Sequence, residues 1–281
     1  MPKIQFTKMH GAGNDYIYVD TTRFPIDHPQ EAAIRWSRPH TGVGSDGLIL
    51  IGTSDKADFS MRMFNNDGSE GRMCGNGVRC VGKYVYDHGM THNKTVTIET
   101  LAGIKTLQLF TDQHNRVEKA TVDMGTPILN DKTQLATEDG SLLVGNIEAE
   151  RKTYQGTFVS MGNPHFVIFV NDITNIALET EGPALEHHPM FPEGCNIEFV
   201  QVLPDGALRT RVWERGTGIT LACGTGACAT AVAASLNGKS GRKSSILMDG
   251  GQLDIEWDEQ NNHVFMTGPA ATVFEGELEI D

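Results

Sequence analysis

Along this chain, apolar and polar positions most often alternate with a period of two. Phe59, Met61 and Met63 alternate with Ser60, Arg62 and Phe64, and Leu208, Thr210 and Val212 alternate with Arg209, Arg211 and Trp213. Such a pattern predicts strands with one face turned to the core. Val96 to Leu109 breaks at Ala102-Gly103, and Ser245 to Trp257 breaks at Asp249-Gly250-Gly251, so each reads as a hairpin on a glycine turn. Helical signals are few. One helix is predicted from Asn76 to His88 and closed by Gly89; another runs from Thr225 to Leu236 and closes near Gly238, as left-handed glycine caps do. The second is rich in alanine nearly all round, which suits a helix enclosed on every side.

The chain also resembles itself. An ungapped displacement of 149 residues lays Gly13-Asn14 on Gly162-Asn163, Arg62 on Arg211, Cys74-Gly75 on Cys223-Gly224, Gly77 on Gly226 and Gly89 on Gly238. With 31 glycines in 281 residues, a bare count of matches carries little. The order carries more: a strand, a polar turn, a cysteine, glycines, a helix and a glycine cap recur in sequence. Two homologous halves are therefore expected, 1–122 and 123–267, meeting near Asp123-Met124-Gly125-Thr126-Pro127. Gly268-Pro269 reads as a turn and Thr272-Val273-Phe274 as a strand, so that 268–281 returns to the first half. No low-complexity stretch or flexible linker interrupts this plan.

Charge and cysteine content narrow the chemistry. Lys and Arg number 23 against 36 Asp and Glu, a formal charge of -13, which repels nucleic acid and anionic membranes. Met1-Pro2-Lys3-Ile4-Gln5-Phe6 has no basic and then apolar character, and no run of eighteen apolar residues occurs, so a soluble cytosolic protein is expected. Five cysteines, an odd number, with no secretion signal argue for reduced thiols. No Cys-x-x-Cys spacing occurs, and Cys74 to Cys80 or Cys223 to Cys228 is too long for the usual zinc knuckle, so no metal site is expected.

Cys80, Cys195 and Cys228 read as small buried hydrophobes. Cys74 and Cys223 differ, because each ends a loop and opens a helix in a Cys-Gly-x-Gly context. The unpaired N–H groups and dipole of such a helix start favour negative charge, which predicts a lowered thiolate pKa and a seat for a substrate carboxylate. Glycines there let the backbone approach that carboxylate closely. Two such starts, one from each half, fit the inversion of a carbon attacked from both faces. A thiolate would remove a proton on one side while a thiol delivers one on the other, the pair holding one proton between them. No pyridoxal cofactor is required by this scheme, and Gly11-x-Gly13 or Gly42-x-Gly44 alone makes no phosphate cradle, so no cofactor is expected.

These residues bring a family into view. Phe64-Asn65-x-Asp67-Gly68-Ser69-Glu70 before Met73-Cys74-Gly75-Asn76-Gly77-x-Arg79-Cys80, and Trp213-Glu214-Arg215-Gly216 before Ala222-Cys223-Gly224-Thr225-Gly226, resemble the two signatures of the diaminopimelate epimerases. Met9-His10-Gly11-x-Gly13-Asn14-Asp15, Met161-Gly162-Asn163-Pro164-His165 and Gly268-Pro269-Ala270 are similar too, so the resemblance spans nearly the whole chain. It implies an α/β fold of the α+β type, with two pseudo-symmetric domains, each a β-barrel-like sheet around a central helix, and the active site in the cleft between them. It implies interconversion of LL- and meso-diaminopimelate on the route to lysine and peptidoglycan. By position, Asn14, Asn65, Asn163 and Asn196 would bind substrate ammonium and carboxylate groups, Glu214 and Arg215 would grip the distal end, and Gly75-Asn76 and Gly224-Thr225 would cradle the reacting carboxylate. His165 and Glu214 match positions that tune the cysteines. One departure is Gly47, where some relatives carry a glutamine that touches substrate; glycine offers no such contact.

Two other readings compete. A proline or hydroxyproline racemase of the same superfamily would show His at Asn76 and Asp in place of Leu221-Ala222. A non-enzymatic thiol protein would use Cys74 and Cys223 as a redox switch and need no substrate. The partners expected are a small-molecule amino acid and, in a homodimer, a second copy of the chain; nucleic acid and membranes are not.

Overall fold

The computed structural model describes residues 3–279, and its contacts divide the chain into two compact units, 1–122 with 267–281, and 123–266. In chain order the first stretch contains β1 (Lys3–Gly11), β2 (Asn14–Asp20), α1 (Pro29–Trp36), β3 (Gly47–Gly52), β4 (Phe59–Asn65), β5 (Glu70–Gly71), α2 (Gly75–Asp87), β6 (Thr95–Thr100), β7 (Gly103–Thr111) and β8 (Val117–Asp123). Next come β9 (Gly145–Ala149), β10 (Lys152–Ser160), β11 (Pro164–Phe169), α3 (Leu178–Glu186), β12 (Asn196–Val202), β13 (Leu208–Glu214), β14 (Gly218–Thr220), α4 (Gly224–Leu236), β15 (Lys243–Met248), β16 (Gly251–Trp257), β17 (Val264–Pro269) and β18 (Ala271–Glu279).

In the first unit the ladder runs β18, β1, β2, β3, β4, β6, β7, β8, with β2–β3 and β4–β6 parallel and the other pairs antiparallel. α2 packs on the neighbouring strands β1 and β2 and also on β7, which lies four places beyond β2 in that order, so the sheet curls around the helix. The second unit repeats the plan. Its ladder runs β9, β10, β11, β12, β13, β15, β16, and α4 touches β10, β11, β12, β13, β15 and β16. Small residues make this enclosure possible: α4 is buried from Gly226 through Ala234, and a methyl group on Gly82 of α2 would come within 2.8 Å of Leu107 and Leu109.

The 149-residue displacement holds down to strand register. Ile17 faces Leu48 and Leu48 faces Phe64; in the other unit Phe166 faces Ile197 and Ile197 faces Trp213. Past the helices the offset shortens by one, since Phe59 faces Ile98 whereas Leu208 faces Ile246.

Three features depart from the sequence pattern. Helices α1 and α3 were not foreseen. α1 is short and lacks a side-chain cap, and α3 contains Pro183 and Gly182, which read as a break. Gly182 is required because a methyl there would lie 2.5 Å from the Trp213 indole. Phe64, expected on a solvent-facing side, is fully buried, because Ala32, Ala33 and Trp36 of α1 cover that face of the sheet together with Leu48 and Leu50. Burial of an aromatic ring of this size contributes roughly 2–3 kcal/mol, enough to explain why the outer layer exists. Finally, Gly268-Pro269 ends a strand rather than forming a turn, and only Ala270 separates it from β18, whose Gly276 faces Phe6 of β1.

Candidate active site

Both cysteines are helix N-caps with extended backbone, Cys74 at φ -126°, ψ 121° and Cys223 at φ -122°, ψ 112°. Each sulfur accepts the N–H three residues on, from Gly77 and from Gly226, at 3.3 Å. The cap that serine or aspartate usually provides is here a thiol.

Around Cys74 the first unit assembles an amide network. The Asn14 amide donates to Asp46 Oδ2 at 2.7 Å, which turns its Oδ1 toward Cys74 Sγ at 3.1 Å and Asn76 Nδ2 at 3.4 Å. Asn76 is buried, and its own Oδ1 accepts from Arg79 Nη2 at 2.9 Å. Arg79 has no exposed surface; it also donates to Gly75 O and, through Nε, to Pro269 O, both at 3.2 Å. Gly11 makes room for this cation, since a methyl there would lie 3.0 Å from the guanidinium. Burial raises Asp46 from its ordinary value, and burial followed by the charge of Cys74 raises the Tyr16 phenol. Asn65 is tied to Ser69 Oγ at 3.0 Å. At Gly47 a side chain is sterically barred, because a Cβ would stand 2.1 Å from the Phe64 carbonyl.

The second unit uses the same frame with different chemistry. Asn163 donates to Thr225 Oγ1 at 3.3 Å, and its Oδ1 lies 3.2 Å from His165 Nε2. His165 Nδ1 stands 2.7 Å from Glu198 Oε1, and both side chains are wholly buried. Thr225 Oγ1 is also 3.5 Å from Cys223 Sγ. The Glu214 carboxylate accepts from the Thr220 hydroxyl, whereas Arg215 donates to Glu193 O at 3.2 Å, so these neighbours have different partners rather than each other. Asn196 bridges Pro164 O at 2.7 Å and the Arg215 N–H at 3.0 Å. Glu186 holds the same turn by accepting from Trp213 Nε1 at 2.6 Å and Gly216 N at 2.8 Å.

Gly75, Asn76, Asn14 and Arg79 thus gather at the Cys74 cap, and Gly224, Thr225, Asn163, His165 and Glu198 at the Cys223 cap. One expectation fails at Cys223. The helix start was expected to lower its pKa, yet the pKa is raised well above the ordinary thiol value: burial dominates, Glu214 and Glu198 add to it, and the Thr225 hydroxyl and Gly226 N–H only partly oppose them. Two nearby carboxylates outweigh a helix terminus whose effect is about 1 kcal/mol. Burial also raises Glu214. Sequence reasoning missed Glu198, Arg79 and Asp46 as site residues. Glu198 had a signal, an acid within the apolar run Ile197-Glu198-Phe199-Val200.

Solved structures define the class of fold. A phenazine biosynthesis protein of the PhzF family from Bacillus anthracis superposes with a TM-score of 0.72 at 18% identity over 100% of both chains. A hydroxyproline epimerase from Agrobacterium vitis gives 0.68 at 16% identity, covering 99% of this chain and 91% of that one. The architecture is therefore the two-domain α/β fold of the PhzF and proline-racemase type. Within that class, the diaminopimelate epimerase family model matches residues 6–130 and 157–273. A diaminopimelate epimerase from Phocaeicola vulgatus is 61% identical over 99% of both chains, and one from Methanococcus maripaludis is 52% identical over 99% of this chain and all of its own. The chain belongs to the diaminopimelate epimerase family. No described helix is long and apolar enough to cross a membrane.

Proposed function

We propose that the chain interconverts LL- and meso-2,6-diaminopimelate without pyridoxal phosphate, in the cytoplasm and as a homodimer, supplying lysine and peptidoglycan synthesis. Cys74 and Cys223 act on opposite faces of the α-carbon. The observation that carries this reading is the pair of matched thiol caps 149 residues apart, each opening a glycine-rich helix start.

The α-hydrogen of an amino acid is a very weak acid, so the developing carbanion needs electrostatic support. Backbone N–H groups at Gly75-Asn76 and Gly224-Thr225 supply it by holding the α-carboxylate. One sulfur, as thiolate, takes the α-hydrogen and becomes a thiol; the other, as thiol, gives its proton to the opposite face and becomes the thiolate. Asn14, Asn65 and Asn163 bind the ammonium and carboxylate groups, Glu214 and Arg215 hold the distal end, and Asn196 contributes by fixing the Arg215 backbone. His165 and Glu214 tune the pair. Polar groups built for two charged ends disfavour a substrate that lacks one of them, because they are then left unpaired.

The test is turnover of LL-diaminopimelate by metal-free, pyridoxal-free protein in deuterated water with a thiol reductant. New epimer should carry deuterium from its first appearance while unreacted substrate stays unlabelled, since each thiol brings one solvent-derived proton. Product that keeps the substrate's own hydrogen would refute the two-base scheme. Proline racemised at a comparable rate would replace the substrate assignment with the rival one.

A further inference from the structure

Glu198 occupies the place in the second unit that Ile49 holds in the first. Its side chain is completely buried, and Oε1 lies 2.7 Å from His165 Nδ1. A methyl group on Gly226 would come within 2.7 Å of the same oxygen and 3.2 Å of Cys223 Sγ, so the carboxyl sits directly beneath the residue whose N–H caps the sulfur. Its other oxygen, Oε2, is buried with no hydrogen-bond partner. A carboxyl half-satisfied in a core destabilises the fold. The first unit fills the same position with isoleucine and avoids that cost, so packing alone does not account for the acid. The titratable groups facing it are His165 from β11, Glu214 from β13, Cys195 just ahead of its own strand and Cys223 at the start of α4.

We propose that Glu198 is a positioning residue for epimerisation: it fixes the His165 ring through Nδ1 and sets a buried acidic group under the Gly226 N–H, so that Cys223 is held as the thiol, the acid member of the pair, in the substrate-free enzyme. The inference rests on Cys223 being one of the two proton carriers. In the turnover that follows, Cys74 as thiolate accepts the α-hydrogen, and the Cys223 S–H bond breaks as its proton passes to carbon. Cys74 is left as the thiol and Cys223 as the thiolate; after product departs, Cys74 releases the proton it took to solvent and Cys223 regains one from solvent, restoring the starting pair. The His165 ring, held between Glu198 and Asn163 Oδ1, is a fixed support through these changes.

The experiment is the pH dependence of iodoacetamide alkylation, followed separately for each cysteine by peptide mass mapping of the full-length protein. In the wild type the midpoint for Cys223 should lie above that for Cys74; equal or reversed order overturns the proposal without any variant. Glu198→Gln keeps a hydrogen-bond partner for the ring but removes the charge. It should lower the Cys223 midpoint by about one pH unit, close to a tenfold faster reaction at pH 8, and leave Cys74 unmoved. Glu198→Asp, which restores the charge, should return the midpoint while kcat stays below wild type. An unmoved Cys223 midpoint in Glu198→Gln, or equal shifts at both cysteines, would overturn the role. Because alkylation needs no substrate, a wild type that fails to turn over diaminopimelate but shows these shifts would sink the functional reading and not the electrostatic one.

Discussion

The two thiol caps share a backbone and differ in what surrounds them. Both units place a cysteine after a short β-ladder, cap a helix through the third N–H, and set an asparagine beside the next polar side chain. Yet at matched positions Tyr16 becomes His165, Ile49 becomes Glu198, Asn65 becomes Glu214, and the buried cation Arg79 becomes Cys228. Near Cys74 in the first half-site lies a guanidinium bonded to the first turn of its helix, and the Asp46 carboxylate is linked to the sulfur through the Asn14 amide. The second has two acids beside the sulfur. The two units share the frame that presents a thiol and differ in the charged groups set around it. The proposed two-thiol mechanism needs such a contrast, since in it one sulfur acts as acid while the other acts as base.

The largest effect should come from removing either sulfur. Cys74→Ala and Cys223→Ala should each lower kcat for LL-diaminopimelate by on the order of a thousandfold or more, because every direction of the reaction uses one as base and the other as acid. A coupled or chiral assay of both epimers checks it. If one variant kept a tenth of wild-type activity, the half-sites would not be functional partners.

Stability should separate the two helices next. Arg79 bonds two backbone carbonyls and Asn76 from a fully buried position, so Arg79→Met should cost about 3–5 kcal/mol in urea unfolding. Cys228→Ala, at the matched place in α4, should cost only about 1 kcal/mol, as the loss of one buried small group does. Equal costs would mean that Arg79 packs as a hydrophobe does and that its charge is incidental. A smaller effect is expected at Gly47, where importing the glutamine found in some relatives forces a Cβ against the Phe64 carbonyl; Gly47→Gln should destabilise by about 1–3 kcal/mol and improve no kinetic constant.

Much of this was legible in the chain before folding. Period-two strands, glycine-turned hairpins and both capped helices follow from local rules, and the 149-residue displacement located the two thiols at equivalent places. What local rules did not reach depended on the second layer. α1 and α3 are held by apolar contacts to sheet faces, so the short α1 and the proline-interrupted α3 carry weak signals of their own, and Phe64 looked misplaced until α1 covered it. The pKa direction of Cys223 was misread for a related reason: the helix start is a local feature, whereas Glu198 and Glu214 reach the sulfur from strands β12 and β13. Gly47 is intermediate, since the missing side chain was visible at once but the strand contact that excludes one was not.

The smallest predicted effect concerns Glu214, the residue matched by neutral Asn65 in the other unit. Burial raises its carboxyl above the ordinary value of 4.5, with Glu198 adding to the rise and Thr220, His165 and Cys223 opposing it. A raised acid binds its proton more tightly folded than unfolded. Its contribution to stability is therefore complete below the ordinary value and is lost as pH rises through the folded one. Wild type should lose stability relative to Glu214→Gln across that window, by no more than about 1.4 kcal/mol per pH unit, while the two unfold alike at lower pH. Urea unfolding of both proteins from pH 4 to 7 measures the difference, and histidines common to both cancel from it. Should wild type instead gain on the variant as pH rises, the Glu214 carboxylate would be stabilised by the charge of His165 more than burial opposes it. The second half-site would then hold a favourable ion pair rather than an excess of buried acid, and the electrostatic contrast with the first would disappear.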